Sequence, residues 1–388
     1  MSTLPGVMPS VSHDEGARER FVHGLRFHVT NRVQPGIRDL YARRVAPAFR
    51  RQHGRPPADR HEVRRALTGE PLHQAFSALM RTTQELMWDG IGESVARQAP
   101  ELAARCAAVR APGSLRLDPG LALPRYLTAV DFHAMPGSYQ GETAPGDVSA
   151  GAVYDRGVHV YYMGGLGPNN DAYAASFARW LKTRWPDFVP RRILDIGCSV
   201  GHSTLAWMDA FPAAEVHGLD LAAPMLRYAH ARAAGLGKAL HLSQQNGEAT
   251  DFPDGYFDLV LSHIVLHELP RGAIRNVFRE GRRLLAPGGI MLHLDGSAYG
   301  SKDALAQHLQ DWNTHYNNEP FQGPSRDANC RALLAAAGFA PDEILVEEVP
   351  LQAGREQMTR AARGLQSGRG LLLSVQGGVL GAGREAKP

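Results

Sequence analysis

The hydrophobic positions in the first third of the chain recur at helical spacing. Between residues 17 and 108, apolar side chains return every three or four positions, which is typical of helices with one buried face. Pro47 and the segment RQHGRPPADR (51–60) are expected to divide this region into separate helices. The first run comprises Phe21, Leu25, Phe27, Val33, Ile37, Leu40 and Tyr41, and the second Leu72, Phe76, Leu79, Met80, Leu86, Met87, Ile91 and Val95. The pattern predicts a helical N-terminal domain over residues 17–125, either a dimerisation element or a substrate cover.

The helical pattern is lost after residue 108. The segment VRAPGSLRLDPGLALP (109–124) is rich in turn residues, and the stretch 131–170 is rich in Gly, Tyr and His without clear periodicity. Long loops of this kind often carry function. We therefore expect a lid or connecting segment over residues 126–185.

From residue 186 onward, short apolar runs alternate with helical patterns. This alternation predicts an α/β fold: a doubly wound, mostly parallel sheet of seven strands over residues 186–378. Residues 1–16 are expected to be a disordered leader and 379–388 a flexible tail. The strand candidates are RRILDIG (191–197), EVHGLDL (215–221), ALHLSQQNG (239–247), the first half of YFDLVLSHIVLHEL (256–269), GGIMLHLDG (288–296), EILVEEV (343–349) and GLLLSVQ (370–376).

Composition narrows the class of protein. The 388 residues are 44% hydrophobic and 21% charged, with a net charge of only +3. Binders of nucleic acid or of membrane surfaces usually carry a concentrated basic field, so neither partner is expected. The three cysteines are far apart, which argues against a disulfide framework and favours a reducing cytoplasm. No apolar stretch is long enough to span a membrane.

The candidate chemistry begins at ILDIGCSVGHST (193–204). A buried strand followed by Gly197, Ser199 and Gly201 at a helix start makes a tight turn that a ligand can approach closely. A nicotinamide-binding loop would have the pattern GxGxxG, which is absent. Asp195 stands two residues before the first glycine, and a carboxylate there suits a cationic ligand better than a phosphate.

Two further acids follow at the ends of the next strands. Asp220 lies nineteen residues after Gly201, where a carboxylate can accept both hydroxyls of a ribose. Glu248 follows the third strand, where a carboxylate and its neighbouring backbone can contact an adenine edge. The three acids together favour a ligand with a positive charge, a ribose and an adenine.

This ordered series, over about residues 190–297, resembles the class I S-adenosylmethionine-dependent methyltransferases. The resemblance implies a Rossmann-like fold, S-adenosylmethionine as cofactor and a set of binding residues. Ser199 is a departure, because many members have glycine there, and we expect it to be tolerated. The implied residues are Asp195, Gly197 and Gly201 at the methionine part, with Cys198 as a small turn residue beside them, Asp220 and Leu221 at the ribose, and Glu248 and Ala249 at the adenine.

Two histidines, His263 and His267, follow the fourth strand and would share a face if the segment were helical. The segment VLHEL resembles one in O-methyltransferases, which implies His267 as general base, although Leu269 replaces the family's aromatic residue. His267 is alternatively a structural histidine that bonds to the loop. His263 is expected either to face the carboxyl or methyl region of the cofactor or to have a packing role. The Asn-Pro-Pro-aromatic motif of enzymes that methylate nucleobases is absent.

The acceptor is expected at the same sheet edge, against polar and aromatic side chains. For the aromatic ones, ordinary packing is the alternative to closing the pocket. No metal is expected, because nothing in the sequence fixes a third ligand beside Asp131 and His133. The substrate candidates are His133, Tyr161, Tyr162, Asp295, Tyr299 and His315.

These observations predict an S-adenosylmethionine-dependent methyltransferase that acts on oxygen or nitrogen of a small molecule, in bacterial specialised metabolism. The alternatives are a peptide or protein methyltransferase and a non-catalytic partner subunit with this fold. The expected partners are a small-molecule acceptor and a second copy of the chain, bound through the N-terminal helices.

Overall fold

The computed structural model describes residues 7–110, 112–162, 164–350 and 372–379, and its centre is one eight-stranded sheet. The strands lie in the order β1-β4-β3-β2-β5-β6-β8-β7, and only β8 runs antiparallel to its neighbours. They are β1 (Ser114–Arg116), β2 (Arg192–Ile196), β3 (Glu215–Asp220), β4 (His241–Gln244), β5 (Phe257–His263), β6 (Leu285–Gly296), β7 (Ile344–Pro350) and β8 (Leu372–Val379). The predicted doubly wound, mostly parallel sheet is confirmed. The predicted count of seven strands is wrong, because the short β1 adds an edge strand beside β4.

Six helices form the N-terminal region: α1 (His13–His28), α2 (Gln34–Leu40), α3 (Ala46–His53), α4 (Arg60–Leu67), α5 (Pro71–Ala96) and α6 (Ala99–Ala108). The predicted break at Pro47 is wrong. The chain passes Pro35 and Pro47 by single π-helical turns at Val29–Val33 and Tyr41–Val45. A wider turn before a proline relieves the clash of its ring with the preceding turn. The helical path ends at Gly54, where φ is 70°.

The predicted disordered leader over residues 1–16 is wrong from residue 7 onward. Val7 and Met8 are buried, and the carbonyl of Val7 accepts a hydrogen bond of 3.1 Å from the hydroxyl of Tyr228. Ser12 caps the start of α1 together with Glu15. Residues 1–6 and the predicted tail after residue 379 lie outside the described residues.

Three helices connect this region to the sheet: α7 (Arg125–Thr128), α8 (Ser149–Tyr161) and α9 (Ala172–Arg184). The stretch 131–170 was expected to be a loop, yet it contains α8. The buried face of α8 combines small residues with Asp155, Arg156 and Val160, so the hydrophobic periodicity is hidden. A Cβ at Gly157 would come within 2.3 Å of Trp88 on α5, and one at Gly151 within 2.5 Å of Tyr228. Glycine at both positions lets α8 pack closely between α5 and the sheet region.

The remaining helices are α10 (His202–Ala210), α11 (Ala223–Gly235), α12 (Arg271–Leu284), α13 (Ala304–Tyr316), α14 (Gln322–Arg326) and α15 (Cys330–Ala336). Consecutive residues of β2 face opposite helical layers: Ile193 packs with Trp207 of α10, and Leu194 packs with Phe278 of α12. Both faces of the central strands are covered, which explains their continuous apolar runs. Within the described residues, no helix is both long and apolar enough to cross a bilayer.

Candidate active site

The loop Gly197–Gly201 joins β2 to α10 through a backbone that favours small residues. φ is positive at both glycines and is 50° at Ser199, a conformation that costs a non-glycine residue energy. The N–H of Gly197 donates to the carbonyl of Leu219 at 2.8 Å, which holds the loop against β3. A Cβ at Gly197 would lie 2.8 Å from the Val265 side chain, so only glycine fits there without displacement. The loop therefore presents bare backbone to the cavity beside it.

This cavity, here called the loop cavity, lies at the carboxyl ends of β2 to β5 and is closed on the other side by α8. Among the predicted cofactor residues, those that line it are Gly197, Cys198, Asp220, Leu221 and His263. Those that do not line it are Asp195, Gly201, Glu248 and Ala249. Ser199, Gln245, His202 and Glu268 line it as well, without having been singled out from the sequence as cofactor residues.

Asp195 lies behind the glycine loop, where it is 1% exposed. Its Oδ2 accepts hydrogen bonds from the hydroxyls of Ser203 and Thr204 at 2.6 and 2.7 Å, in the first turn of α10. Its Oδ1 has no partner among the described residues, and burial raises the pKa of the carboxyl to about 6. Asp195 thus ties α10 to the end of β2 and shapes the loop from behind.

Asp220 connects the glycine loop to α11 at the end of β3. Its two oxygens accept backbone N–H groups of Ser199 and Ala222, each at 2.9 Å. Burial raises the pKa of Asp220 to about 6, although these N–H groups favour the charged form. The carboxylate is still ionised at neutral pH. Its remaining lone pairs border the loop cavity, where they suit a pair of vicinal hydroxyls.

The end of β4 contributes residues 245–247 to the cavity lining, in place of the predicted Glu248 and Ala249. Glu248 instead accepts hydrogen bonds from the hydroxyl of Tyr126 and the amide of Asn276, both at 2.8 Å. Tyr126 itself lines the loop cavity. The acid is therefore placed one layer behind the lining and positions a tyrosine ring.

The opposite end of the loop cavity is polar and rests on a buried network. His202 lines the cavity, and its Nε2 lies 2.6 Å from Asp155. Asp155 also accepts the Tyr228 hydroxyl at 2.8 Å and lies 3.6 Å from Arg232. Asn170 donates to Asp155 at 3.2 Å, while its own Oδ1 is buried without a partner in the described part of the chain. The network fixes α8 to the sheet region and leaves polar atoms at this end of the cavity.

A second cavity of about 310 Å³, the middle chamber, adjoins the loop cavity. The two share a wall made of Tyr154, Val158, Tyr162 and Ile264. Among the predicted substrate residues, those that line the middle chamber are His133, Tyr161, Tyr162 and Asp295. Its other polar lining residues are Gln84, His267, Gln310, Asn313, Asn317, Glu319, Gln322 and Arg326. Gln84 and Trp88 belong to α5, so the N-terminal helices form part of this chamber.

The spacing of His263 and His267 predicts a shared face if their segment is helical. In the structure the two histidines do not share a helix face. β5 ends at His263, and Ile264 adopts φ 59°, so the chain turns sharply between them. His263 faces the loop cavity, and burial lowers its pKa to about 4. His267 faces the middle chamber with Nδ1 2.8 Å from Asp295. Burial opposes its charge, but Asp295, with smaller contributions from Glu268 and Glu319, outweighs burial and raises the pKa of His267 to about 9.

Comparison with known proteins identifies the family of this chain. The model of a methyltransferase domain family matches residues 193–289. A malonyl-[acyl-carrier protein] O-methyltransferase of Geobacter sulfurreducens is 32% identical over 188 residues, which are 46% of this chain and 68% of that protein. The chain belongs to the class I S-adenosylmethionine-dependent methyltransferases.

Two other methyltransferases are similar over smaller shares or at lower identity. A trans-aconitate 2-methyltransferase of Methylobacterium radiotolerans is 40% identical over 111 residues, 29% of this chain and 40% of that protein. The solved structure of Haemonchus contortus phosphoethanolamine N-methyltransferase 2, bound to S-adenosylhomocysteine, aligns with a TM-score of 0.44 at 18% identity. That alignment covers 59% of this chain and 58% of that one. Each curated relative named here matches less than half of this chain.

S-adenosylmethionine is the cofactor of this methyltransferase, and the residues of the loop cavity fit it. Gly197 allows close approach to the backbone, and Asp220 offers a carboxylate for ribose hydroxyls. The unpartnered Oδ1 of Asn170 suits an amino group at the polar end. The rings of Tyr154 and Tyr162 stand in the shared wall, where aromatic faces attract a sulfonium.

His133 lies between two carboxylates in the methyltransferase's middle chamber. Its Nε2 is 3.1 Å from Glu268 and its Nδ1 is 3.2 Å from Glu319. Burial opposes the charge, but both carboxylates raise the pKa of His133 well above its usual value. His133, His267 and Glu268 offer possible metal ligands within 4.8 Å of one another. A divalent cation would have to displace a proton from each imidazolium, and the side chains as they stand form an ion-pair network.

Tyr299 and His315 were predicted near the acceptor, but they line neither the loop cavity nor the middle chamber. Tyr299 is buried beneath the guanidinium of Arg60, 4.5 Å from the ring centre. His315 stacks on Trp312 with ring centres 5.3 Å apart. The sequence around Tyr299 and His315 did not show which face of its helix or loop each residue occupies. Arg326 was missed because α14 lies far along the chain from every motif.

Proposed function

We propose that this methyltransferase transfers a methyl group to an oxygen of a small molecule that carries a carboxylate, bound in the middle chamber. The observation that carries the proposal is the common wall of the loop cavity and the middle chamber, with the His267–Asp295 pair in the chamber beyond it. A chamber of about 310 Å³ is in the range of small-molecule sites.

S-adenosylmethionine supplies a methyl group bonded to a positively charged sulfur. The acceptor oxygen forms a bond to the methyl carbon while the carbon–sulfur bond breaks and its electron pair stays on sulfur. A carboxylate oxygen has no proton to lose in this step, so no base has to remove one. The residues of the chain then need to orient the acceptor and exclude water.

His267 is proposed to donate a hydrogen bond to the acceptor. With a pKa of about 9 it is protonated at neutral pH, so only a small fraction of molecules has a ring able to accept a proton. Asp295 occupies Nδ1, and Nε2 lies 3.9 Å from Glu268, beyond hydrogen-bond distance. The Nε2–H is therefore available to a carboxylate in the middle chamber, and a hydrogen bond between two charged groups is among the stronger kinds.

Arg326 is proposed as the anchor of the acceptor's carboxylate. It lines the middle chamber and donates a hydrogen bond of 3.3 Å to the carbonyl of Ser297. Its Nε is buried without a partner, and no carboxylate of the described residues lies within 4.0 Å of the guanidinium. A guanidinium that lacks an acidic partner suits a bidentate carboxylate. The names of two relatives refer to a malonyl group and to trans-aconitate, and both of these groups carry carboxylates.

Transfer of label from methyl-tritiated S-adenosylmethionine tests the proposal. Mono- and dicarboxylic acids are offered as acceptors, and we expect members of this panel to be converted to labelled methyl esters. The matching amides, phenols and amines should stay unlabelled. Arg326→Gln should raise the KM for the accepted acid about tenfold or more, because one charge-assisted pair is lost. Arg279→Gln, an exposed arginine of α12, is the matched control and should leave KM unchanged.

Label that enters phenols or amines but not acids would contradict the proposed acceptor class. An unchanged KM in Arg326→Gln would contradict the anchoring role. Binding of S-adenosylhomocysteine by both variants shows that the loop cavity is intact in either case.

A further inference from the structure

A third cavity, here called the basic chamber, adjoins the middle chamber on the side away from the cofactor. It has a volume of about 470 Å³ and lies between α1, α2, α5 and α13. It shares Tyr161, Gln310, Asn313 and Asn317 with the middle chamber. The last three are three and four residues apart on α13, so one polar helix face runs along both cavities. The loop cavity, the middle chamber and the basic chamber thus form a continuous row.

The charged side chains that line the basic chamber are all positive: Arg26, Arg38 and Lys302. No acid belongs to its lining among the described residues. Burial, and then the nearby Arg326, lower the pKa of Lys302, while Glu348 opposes them. The lining therefore carries three positive charges and no compensating acid among the described residues.

Neutral partners hold two of these cations in place. The guanidinium of Arg26 lies 4.1 Å from the ring centre of Tyr161 and donates to the side-chain oxygen of Gln84 at 2.6 Å. Lys302 donates to the side-chain oxygen of Gln310 at 3.0 Å. Elsewhere, the well-buried Arg156 is paired with a glutamate. Cations oriented by neutral groups keep their charge available to an anionic ligand.

We propose that the basic chamber binds a phosphate group at the far end of the acceptor, while the end that receives the methyl group lies in the middle chamber. This inference rests on the proposed function, since it gives that acceptor a second anchor. Two arginines and a lysine around one cavity match the charge of a phosphate, and Thr30 and Gln34 add neutral donors to its lining. The phosphate can belong to a small phosphoester or to the pantetheine arm of an acyl thioester.

Calorimetry on the protein saturated with S-adenosylhomocysteine tests this inference, with inorganic phosphate, pyrophosphate and coenzyme A as probes. We expect pyrophosphate to bind the wild type and to bind the double variant Arg38→Gln/Lys302→Gln at least tenfold more weakly, because two charged contacts are lost. The control Arg32→Gln removes an exposed arginine between α1 and α2 that does not line the chamber, and should leave the affinity unchanged. Coenzyme A that binds more tightly than inorganic phosphate and depends on the same two residues assigns the phosphate to a pantetheine arm. Tighter binding of inorganic phosphate assigns it to a small phosphoester.

The inference is overturned if none of the three probes binds, or if the double variant binds them as well as the Arg32→Gln control does. In both cases, retained binding of S-adenosylhomocysteine leaves the proposed function standing. Loss of that binding in the wild type would instead remove the proposed function itself, so the two failures are distinguishable.

Discussion

Asp220→Ala is expected to weaken the binding of S-adenosylhomocysteine a hundredfold or more, which is at least ~2.7 kcal/mol. The carboxylate is the one acidic group at the end of β3, and it borders the loop cavity where ribose hydroxyls need an acceptor. A hydrogen bond to a charged group contributes about 1.5–3 kcal/mol, and two such bonds are lost. The variant also deprives the N–H groups of Ser199 and Ala222 of their partner, which adds to the loss.

Isothermal titration of the variant against wild type measures this effect. Glu215→Ala is the matched control, because Glu215 is an exposed acid at the other end of β3. The control should bind S-adenosylhomocysteine like the wild type. Thermal unfolding of Asp220→Asn, which keeps the size of the side chain, separates loss of a ligand contact from loss of fold. Equal affinities for wild type and Asp220→Ala would contradict the placement of the ribose at β3.

The dependence of kcat on pH is expected to follow the protonation of His267. The folded pKa of about 9 lies above the usual value, so the imidazolium is fully present at pH 7 and disappears as pH rises through 9. If the imidazolium orients the acceptor, kcat stays constant from pH 7 to about 8 and then falls about tenfold per pH unit above 9. Asp295→Asn removes the carboxylate that raises this pKa, so the fall should begin one or more units lower.

The alternative role of His267 as general base gives the opposite curve. A base must be unprotonated, so kcat would rise with pH up to about 9 in the wild type. Glu268 and Glu319 also face this imidazole, and they are unchanged in Asp295→Asn. A rising limb with a midpoint near 9 that moves to lower pH in Asp295→Asn would contradict the imidazolium role and support the base.

The ends of the parallel strands could be predicted well from the sequence. Gly197, Asp220 and His263 each lie at the end of a short, mostly apolar run, and the carboxyl ends of parallel strands meet at one edge. Glu248 was misplaced because the chain turns just after β4, and a change of one or two residues decides whether a side chain faces the cavity. No periodic pattern in the sequence indicates the direction in which a side chain points after a turn.

The acceptor side could be predicted only in part, because it is assembled from distant segments. His133 and Tyr161 were predicted because the segment that contains them, residues 131–170, is unusually rich in Gly, Tyr and His. Arg326 and Glu319 reach the same chamber from beyond β6, and no short motif connects them with His133. The helix α8 was missed because its buried face combines glycine and alanine with the charged Asp155 and Arg156, which leaves little hydrophobic periodicity.

The N-terminal helices were expected to be either a dimerisation element or a substrate cover. Gln84, Met87 and Trp88 of α5 line the middle chamber, and Arg26 and Arg38 line the basic chamber. This placement is what a substrate cover requires. Both roles, the substrate cover and the dimerisation element, stay predictions from the sequence.

The central claim is that the cofactor in the loop cavity transfers its methyl group directly to an acceptor in the middle chamber, at the border where Tyr154, Val158, Tyr162 and Ile264 line both cavities. A crystal structure with S-adenosylhomocysteine tests it most directly. We expect the ribose hydroxyls on the carboxylate of Asp220 and the sulfur at this wall, with the open space beyond it leading to His267. A sulfur that is directed away from the middle chamber, or an adenosyl group bound outside the loop cavity, would contradict the claim.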